Sequence, residues 1–149
     1  LAQIVPEKVP AAGEGGNSVI CISGLRPNRQ PFIIVDMICG AWGGRPSKDG
    51  IEAITNPSQN LSNTPVEVLE AQHPVRIEEY ALLTDSCGAG QWRGGLGLTR
   101  TFRVLAEDAQ LQLRSDRMRI VPDVSGVPHS YRYEVEGRSV RMRRTVGGL

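Results

Sequence analysis

Five side chains carry the chemistry this sequence could do: Asp36, Arg45, Asp49, Asn63 and Arg93. Asp36 interrupts the apolar run FIIVDMIC, with Val35 before it and Met37 after it. A carboxylate buried there is costly unless it is paired or hydrogen-bonded. The candidate partners are the backbone N–H groups of the glycine loop that follows, GAWGGRPSKDG (40–50), or Arg45 within it. Asp36 therefore either braces that loop or lines a site. Arg45 offers a planar fork suited to a carboxylate or phosphate. It either faces a cavity or an interface, or closes an internal salt bridge with Asp36 or Asp49. Asp49-Gly50 is a turn dipeptide, and Asn63 in SNTPVE can bond its own backbone two residues on, with Pro65 setting the turn. Arg93 opens RGGLG, a tight start to a strand. Glu78 and Glu79 are adjacent, so a regular strand points them to opposite faces and makes them a poor acid/base pair.

Other catalytic patterns fail on spacing. GAGQWRGGLG (88–97) puts Arg93 where the dinucleotide fingerprint needs its third glycine, and GGRPSKDG holds no phosphate loop of the GxxxxGK[ST] kind. His73 and His129 lie far apart with no HxD, HxH or HExxH spacing, so no metal site is expected within this chain. There is no GxSxG nucleophile elbow. Cys21, Cys39 and Cys87 form no CxxC pair and are odd in number, which reads as three thiols in a reducing cytoplasm.

The elements that must position these residues are short and turn-rich. Seventeen glycines and ten prolines punctuate brief apolar runs, a mainly β pattern of antiparallel strands and hairpins with little helix. SVICIS and PFIIVDMI read as two strands joined by the GLRPNRQ loop. In AQLQLRSD, Ala109, Leu111 and Leu113 are expected to face a core and Gln110, Gln112 and Arg114 water. LTRTFRVLA is a strand that should pair with it through the EDA turn. PVRIEEYALLT is extended, with its alternation slipping near Glu79, where a bulge fits. PVEVLEAQ carries a proline suited to a first helical turn, and Asn63 or Thr64 as a cap. Its valines suit a strand equally well, and the extended reading is preferred.

The charge divides the chain. The total is +1, but residues 1–116 sum to −3 and residues 117–149 to +4. The tail YRYEVEGRSVRMRR reads as a hairpin with a solvated charged face; no base-stacking pattern accompanies its arginines, so no nucleic-acid partner is expected. No apolar run approaches the roughly 20 residues that span a bilayer, so no membrane partner is expected either.

Several segments together resemble one family. VDMICGAWGGRPSKDGIEAITNPSQN, SNTPVEVLEAQHPVRIEEYALLTDSCGAGQWRGGLGLTRTF and LQLRSDR, in that order, are similar to the hydantoinase B/oxoprolinase family. This family holds the B-type subunits of N-methylhydantoinases, the matching half of 5-oxoprolinase, and relatives among acetone and acetophenone carboxylase subunits. The resemblance covers residues 1–120 and leaves 121–149 as a divergent basic tail, hairpin or disordered. It implies an α+β parent and an ATP-dependent hydrolase of cyclic amides in the cytoplasm. ATP would be bound by an A-type partner subunit of the actin/Hsp70-like class, which activates a ring carbonyl by phosphorylation. It implies a divalent metal in the parent, held by an Asp/His cluster upstream of Leu1, and none here. A truncated or frame-shifted product accounts for both departures; a genuine divergent tail is the alternative reading of the second. Arg45 would then face the substrate cavity or the interface with the A-type partner. The isolated chain is expected to be inactive, and a non-catalytic interaction module or a ketone carboxylase subunit is the alternative.

Overall fold

Along Pro31–Met37 inward and outward side chains alternate without a break. This strand, β2, buries Phe32, Ile34 and Asp36 and leaves Ile33 and Val35 outside. It pairs antiparallel with β1 (Val19–Leu25) across a loop in which Asn28 Oδ1 accepts the Gln30 N–H. The computed structural model describes residues 3–13, 19–55, 59, 61–114, 131–136 and 138–144, with backbone alone for 131–136 and 141–144.

The remaining elements are α1 (Val66–Gln72), β3 (Val75–Leu82), β4 (Leu98–Val104), β5 (Ala109–Arg114), β6 (Tyr131–Glu136) and β7 (Ser139–Arg144). The strands form two antiparallel sheets, ordered β2-β1-β5 and β3-β4-β7-β6. The fold is thus mainly β with little helix, as the glycine and proline punctuation predicts. One core joins both sheets. Ile20, Ile22, Phe32 and Ile34 come from one sheet, and Val75, Leu98, Phe102, Val104 and Val140 from the other. The tail hairpin forms as expected, and β7 extends the second sheet by pairing with β4.

Four expectations are corrected. PVEVLEAQ is a helix. Pro65 stands at its N-terminus with φ −56°, no side chain caps it, and the His73 N–H closes on the Leu69 carbonyl just before Pro74. Only Leu69 in this helix is buried, so one core seat decides the segment, where a strand would need alternate seats for Val66 and Val68. Glu70 then accepts the Ile77 N–H at 2.7 Å and ties the helix to β3. Tertiary contacts of this kind override the mild β preference of valine.

Second, β4 and β5 do not pair. β4 lies between β3 and β7, and β5 pairs with β1. Leu105 N–H bonds the Pro74 carbonyl and holds the end of β4 beside β3, while buried Ala106 takes the chain through the core. Gly24 admits the crossing: a Cβ there would sit 2.5 Å from the Asp108 carbonyl oxygen. Third, Leu111 and Leu113 do pack on the core, but Ala109 at this crossing is exposed. Fourth, the bulge forms between Ile77 and Glu79, and it reverses the reading of the adjacent glutamates. Glu78 meets Arg103 and Ser139 while Glu79 accepts from Thr101 Oγ1. Thr101 and Arg103 are two apart on one strand, so both carboxylates lie on one face.

Candidate functional site

Asp36 and Asn63 come together; Arg45, Asp49 and Arg93 form a separate group. In the first, β4 supplies a residue that motif reading passed over, Arg100. Its Nη1 donates to Asp36 Oδ2 at 2.6 Å, and both side chains are almost entirely buried. The pair bridges the two sheets. Asp36 is therefore partnered across the core, not by Arg45 or by the glycine loop. Three bonds hold its carboxylate, from the Arg100 guanidinium, the Met37 N–H and the Thr64 hydroxyl. Burial nevertheless pushes its titration above the usual carboxylate range, against the pull of the Arg100 charge.

Arg100 in turn donates from Nη2 to the Thr64 carbonyl at 3.2 Å. Its guanidinium lies 4.7 Å from the Tyr80 ring centre and 5.2 Å from that of Phe102. Register explains both: Tyr80 is its cross-strand partner and Phe102 follows two residues on, on the same face. Such cation–π contacts suit a desolvated guanidinium. The Tyr80 hydroxyl accepts from Asn63 Nδ2 at 2.6 Å, and Asn63 Oδ1 accepts the Cys39 N–H at 3.1 Å. Asn63 thus ties the end of β2 to β3 and does not bond its own backbone. Tyr80 is 41% exposed, so this network has one end sealed and one end open to solvent. Burial raises the Tyr80 phenol above its ordinary value, while the Arg100 charge and the Asn63 bond pull it down.

The second group is made mostly of backbone. After β2 the chain turns through 40–55, with the Trp42 N–H bonded to the Ile51 carbonyl and the Trp42 indole N–H to the Thr55 carbonyl at 2.7 Å. Residues 93–95 cross this loop: Gly50 N–H bonds the Arg93 carbonyl and Gly95 N–H the Trp42 carbonyl. Gly43 admits the N-terminal segment, since a Cβ there would lie 2.5 Å from the Ala11 carbonyl oxygen. A Cβ on Gly50 would strike the Trp42 oxygen and the Gly95 nitrogen. The glycines of this loop thus permit close backbone approach.

Charged groups rivet the crossing. Asp49 accepts from the Arg93 N–H at 3.0 Å and from its Nε at 3.1 Å, and Arg93 Nη1 meets Glu52 at 3.1 Å. Arg45 joins neither expected carboxylate; its Nε donates to the Asp49 carbonyl at 2.8 Å and closes the Arg45–Lys48 turn. Elsewhere, His73 packs near Phe32 with its Nδ1 buried. Burial, helped by the Arg26 charge, lowers its titration. Among the described residues no group of three or more His, Cys, Asp or Glu side chains could hold a metal ion. No helix among them is long and apolar enough to cross a membrane.

The motifs that build both groups, SNTPVE with GLTR and GGRPSKDG with RGG, occur in the order characteristic of one family, and the Hydantoinase B/oxoprolinase family model matches residues 1–129. The chain belongs to the hydantoinase B/oxoprolinase family. It is 35% identical to the B-type subunit of a D-/L-hydantoinase from Pseudomonas sp. (strain NS671), over 82% of this chain and 20% of that protein. It is 36% identical to the beta subunit of the Pseudomonas jessenii caprolactamase, over 65% of this chain and 18% of that one. The solved structure of the ATP-dependent caprolactamase from P. jessenii superposes with a TM-score of 0.61 at 25% identity, covering 99% of this chain and 31% of that chain. The chain spans about a fifth of the length of these curated relatives. Members of this hydantoinase B/oxoprolinase family hydrolyse cyclic amides, and the names of those two relatives place them in multi-subunit enzymes.

Arg100 and Tyr80 carry the first group, and neither stood among the residues singled out in the sequence. A signal was present: an arginine inside LTRTFRV, with Leu98 and Phe102 two residues away on either side, falls on the apolar face of its strand and demands a buried anion.

Proposed function

We propose that the chain is the scaffold portion of a B-type subunit in an ATP-dependent cyclic-amide hydrolase, acting in the cytoplasm with an A-type ATP-binding subunit. The match to the hydantoinase B/oxoprolinase family over residues 1–129 carries this reading. An amide is a poor electrophile because its nitrogen lone pair is delocalised onto oxygen. Phosphorylating that oxygen on the A-type subunit removes the delocalisation and prepares the ring carbon for water.

In this scheme the 149-residue portion supplies no acid, base or nucleophile of its own. Its buried Asp36–Arg100 pair fixes the spacing of the two sheets, and the Asn63–Tyr80 contact presents a polar pair at the surface above it. The glycine crossing, locked by Arg93, Asp49 and Glu52, presents a second polar rim. A hydrogen-bonding rim of this kind can orient an amide or a phosphate group without reacting with it. The described residues do not form the donor cluster that a divalent metal needs, so a metal would be held by the rest of the B-type subunit.

The test measures ring-opened product from 5-oxoproline, a hydantoin or caprolactam in the presence of ATP and an A-type subunit. A B-type subunit containing this segment should turn over one of these rings, and the 149 residues alone should not. Turnover by the 149 residues alone, or ring opening that does not depend on ATP, overturns the reading.

A further inference from the structure

The inner face of the β2-β1-β5 sheet is filled by the core; its outer face is neutral and partly apolar. Register places Val35, Cys21 and Gln112 in one outer row and Ile33, Ser23 and Gln110 in the next. No charge interrupts either row. On β2, the last strand of the sheet, Ile33 and Val35 are 60% and 63% exposed. Soluble sheets protect such edges with lysine, proline or a bulge, and β2 has only Pro31 at its start. Toward the hairpin the face runs into a hollow of about 630 Å³ lined by Leu25 and Pro31 on one side and by Glu107 and Asp108 on the other. An apolar face ending at two carboxylates selects an apolar segment that ends in a cation.

We propose that this face is the seat of the rest of the B-type subunit, docked as a segment with apolar side chains over Ile33 and Val35 and a lysine or arginine beside Glu107 and Asp108. The inference rests on the family reading. The length of the relatives supports this occupant: the matched part is 20% of the hydantoinase relative, and nearly all of this chain aligns within 31% of the caprolactamase chain. Most of such a protein therefore lies outside this portion and must pack against it somewhere. The inner face and the glycine crossing are already occupied.

The test is reconstitution. The chain is mixed with the P. jessenii caprolactamase beta subunit from which the matched segment has been deleted, and binding is followed by sedimentation. A one-to-one complex is expected. The Ile33→Lys, Val35→Lys double variant should weaken it by roughly tenfold or more, the loss expected when buried apolar contacts become charged. Glu107→Lys should weaken it more at low salt than at high salt. Both positions face outward, so circular dichroism of the variants should match the parent chain. The proposal is overturned by absence of a complex, by a complex indifferent to the lysine pair, by self-association of the chain through these residues, or by capture of the A-type subunit through them. A complex that depends on this face but opens no ring upholds the surface and removes the catalytic reading.

Discussion

Truncating Asp36 to alanine isolates the bond that joins the two sheets. Arg100 is wholly buried and packed between Tyr80 and Phe102, so its guanidinium cannot reach water when the carboxylate is removed. Breaking a buried ion pair from one side leaves an uncompensated charge and costs about 3–5 kcal/mol. Domains of this size are stable by about 5–15 kcal/mol, so the single variant should lie near the edge of folding. The pair as a whole is a different matter, because two ions were also desolvated to make it. Replacing both partners with apolar residues, Asp36→Leu with Arg100→Met, should recover most of the loss. Urea unfolding followed by the fluorescence of Trp42 and Trp92 measures both. Neither a loss below about 1 kcal/mol for Asp36→Ala nor a double variant as unstable as the sum of the singles is compatible with a desolvated pair.

The same carboxylate sets a pH dependence. Its titration is raised in the folded protein, chiefly by burial, so the folded state binds the proton more tightly than the unfolded chain does. Its contribution to stability should therefore be greatest below 3.8 and fall as pH rises from there to the raised value, seen as the difference between the parent and Asp36→Asn. His73 works in the other direction. Its titration is lowered, so its contribution is present above 6.5 and lost as pH falls below it, and His73→Gln should flatten that limb of the stability profile. Gly95→Ala should destabilise severely, because the added methyl would meet the Ile51 carbonyl where backbone cannot yield; a urea midpoint equal to that of the parent chain refutes the crossing. Arg93→Ala should cost no more than about 1 kcal/mol in the same assay, since its ion pairs with Asp49 and Glu52 are largely exposed.

Much of the fold is legible residue by residue. Alternation in PFIIVDM and AQLQLR gives strands and their inner faces, the slipped alternation in VRIEEYAL gives the bulge, and the glycines of GAWGGRPSKDG give close backbone approach. Each is a short-range rule that a few neighbouring residues satisfy alone. The helix at Val66–Gln72 was not legible because its valines and glutamates fit two periods, and one buried seat for Leu69 settled the matter. The β4–β5 pairing misled for a related reason: proximity in sequence favours a hairpin, and the room beside Gly24 took β5 to β1 instead.

The site divides along the same line. Residue types alone determined that Asp36 needs a partner, that Asp49-Gly50 turns, and which family the chain resembles, because these depend on local chemistry and on the order of short motifs. Which cation meets Asp36 was settled only when two sheets closed and brought residues 36 and 100 within 2.6 Å. The same closure drew Asn63 to Tyr80, and the glycine crossing drew Asp49 to Arg93. Local rules name the groups that require partners; packing in three dimensions chooses among partners that are chemically alike and distant along the chain.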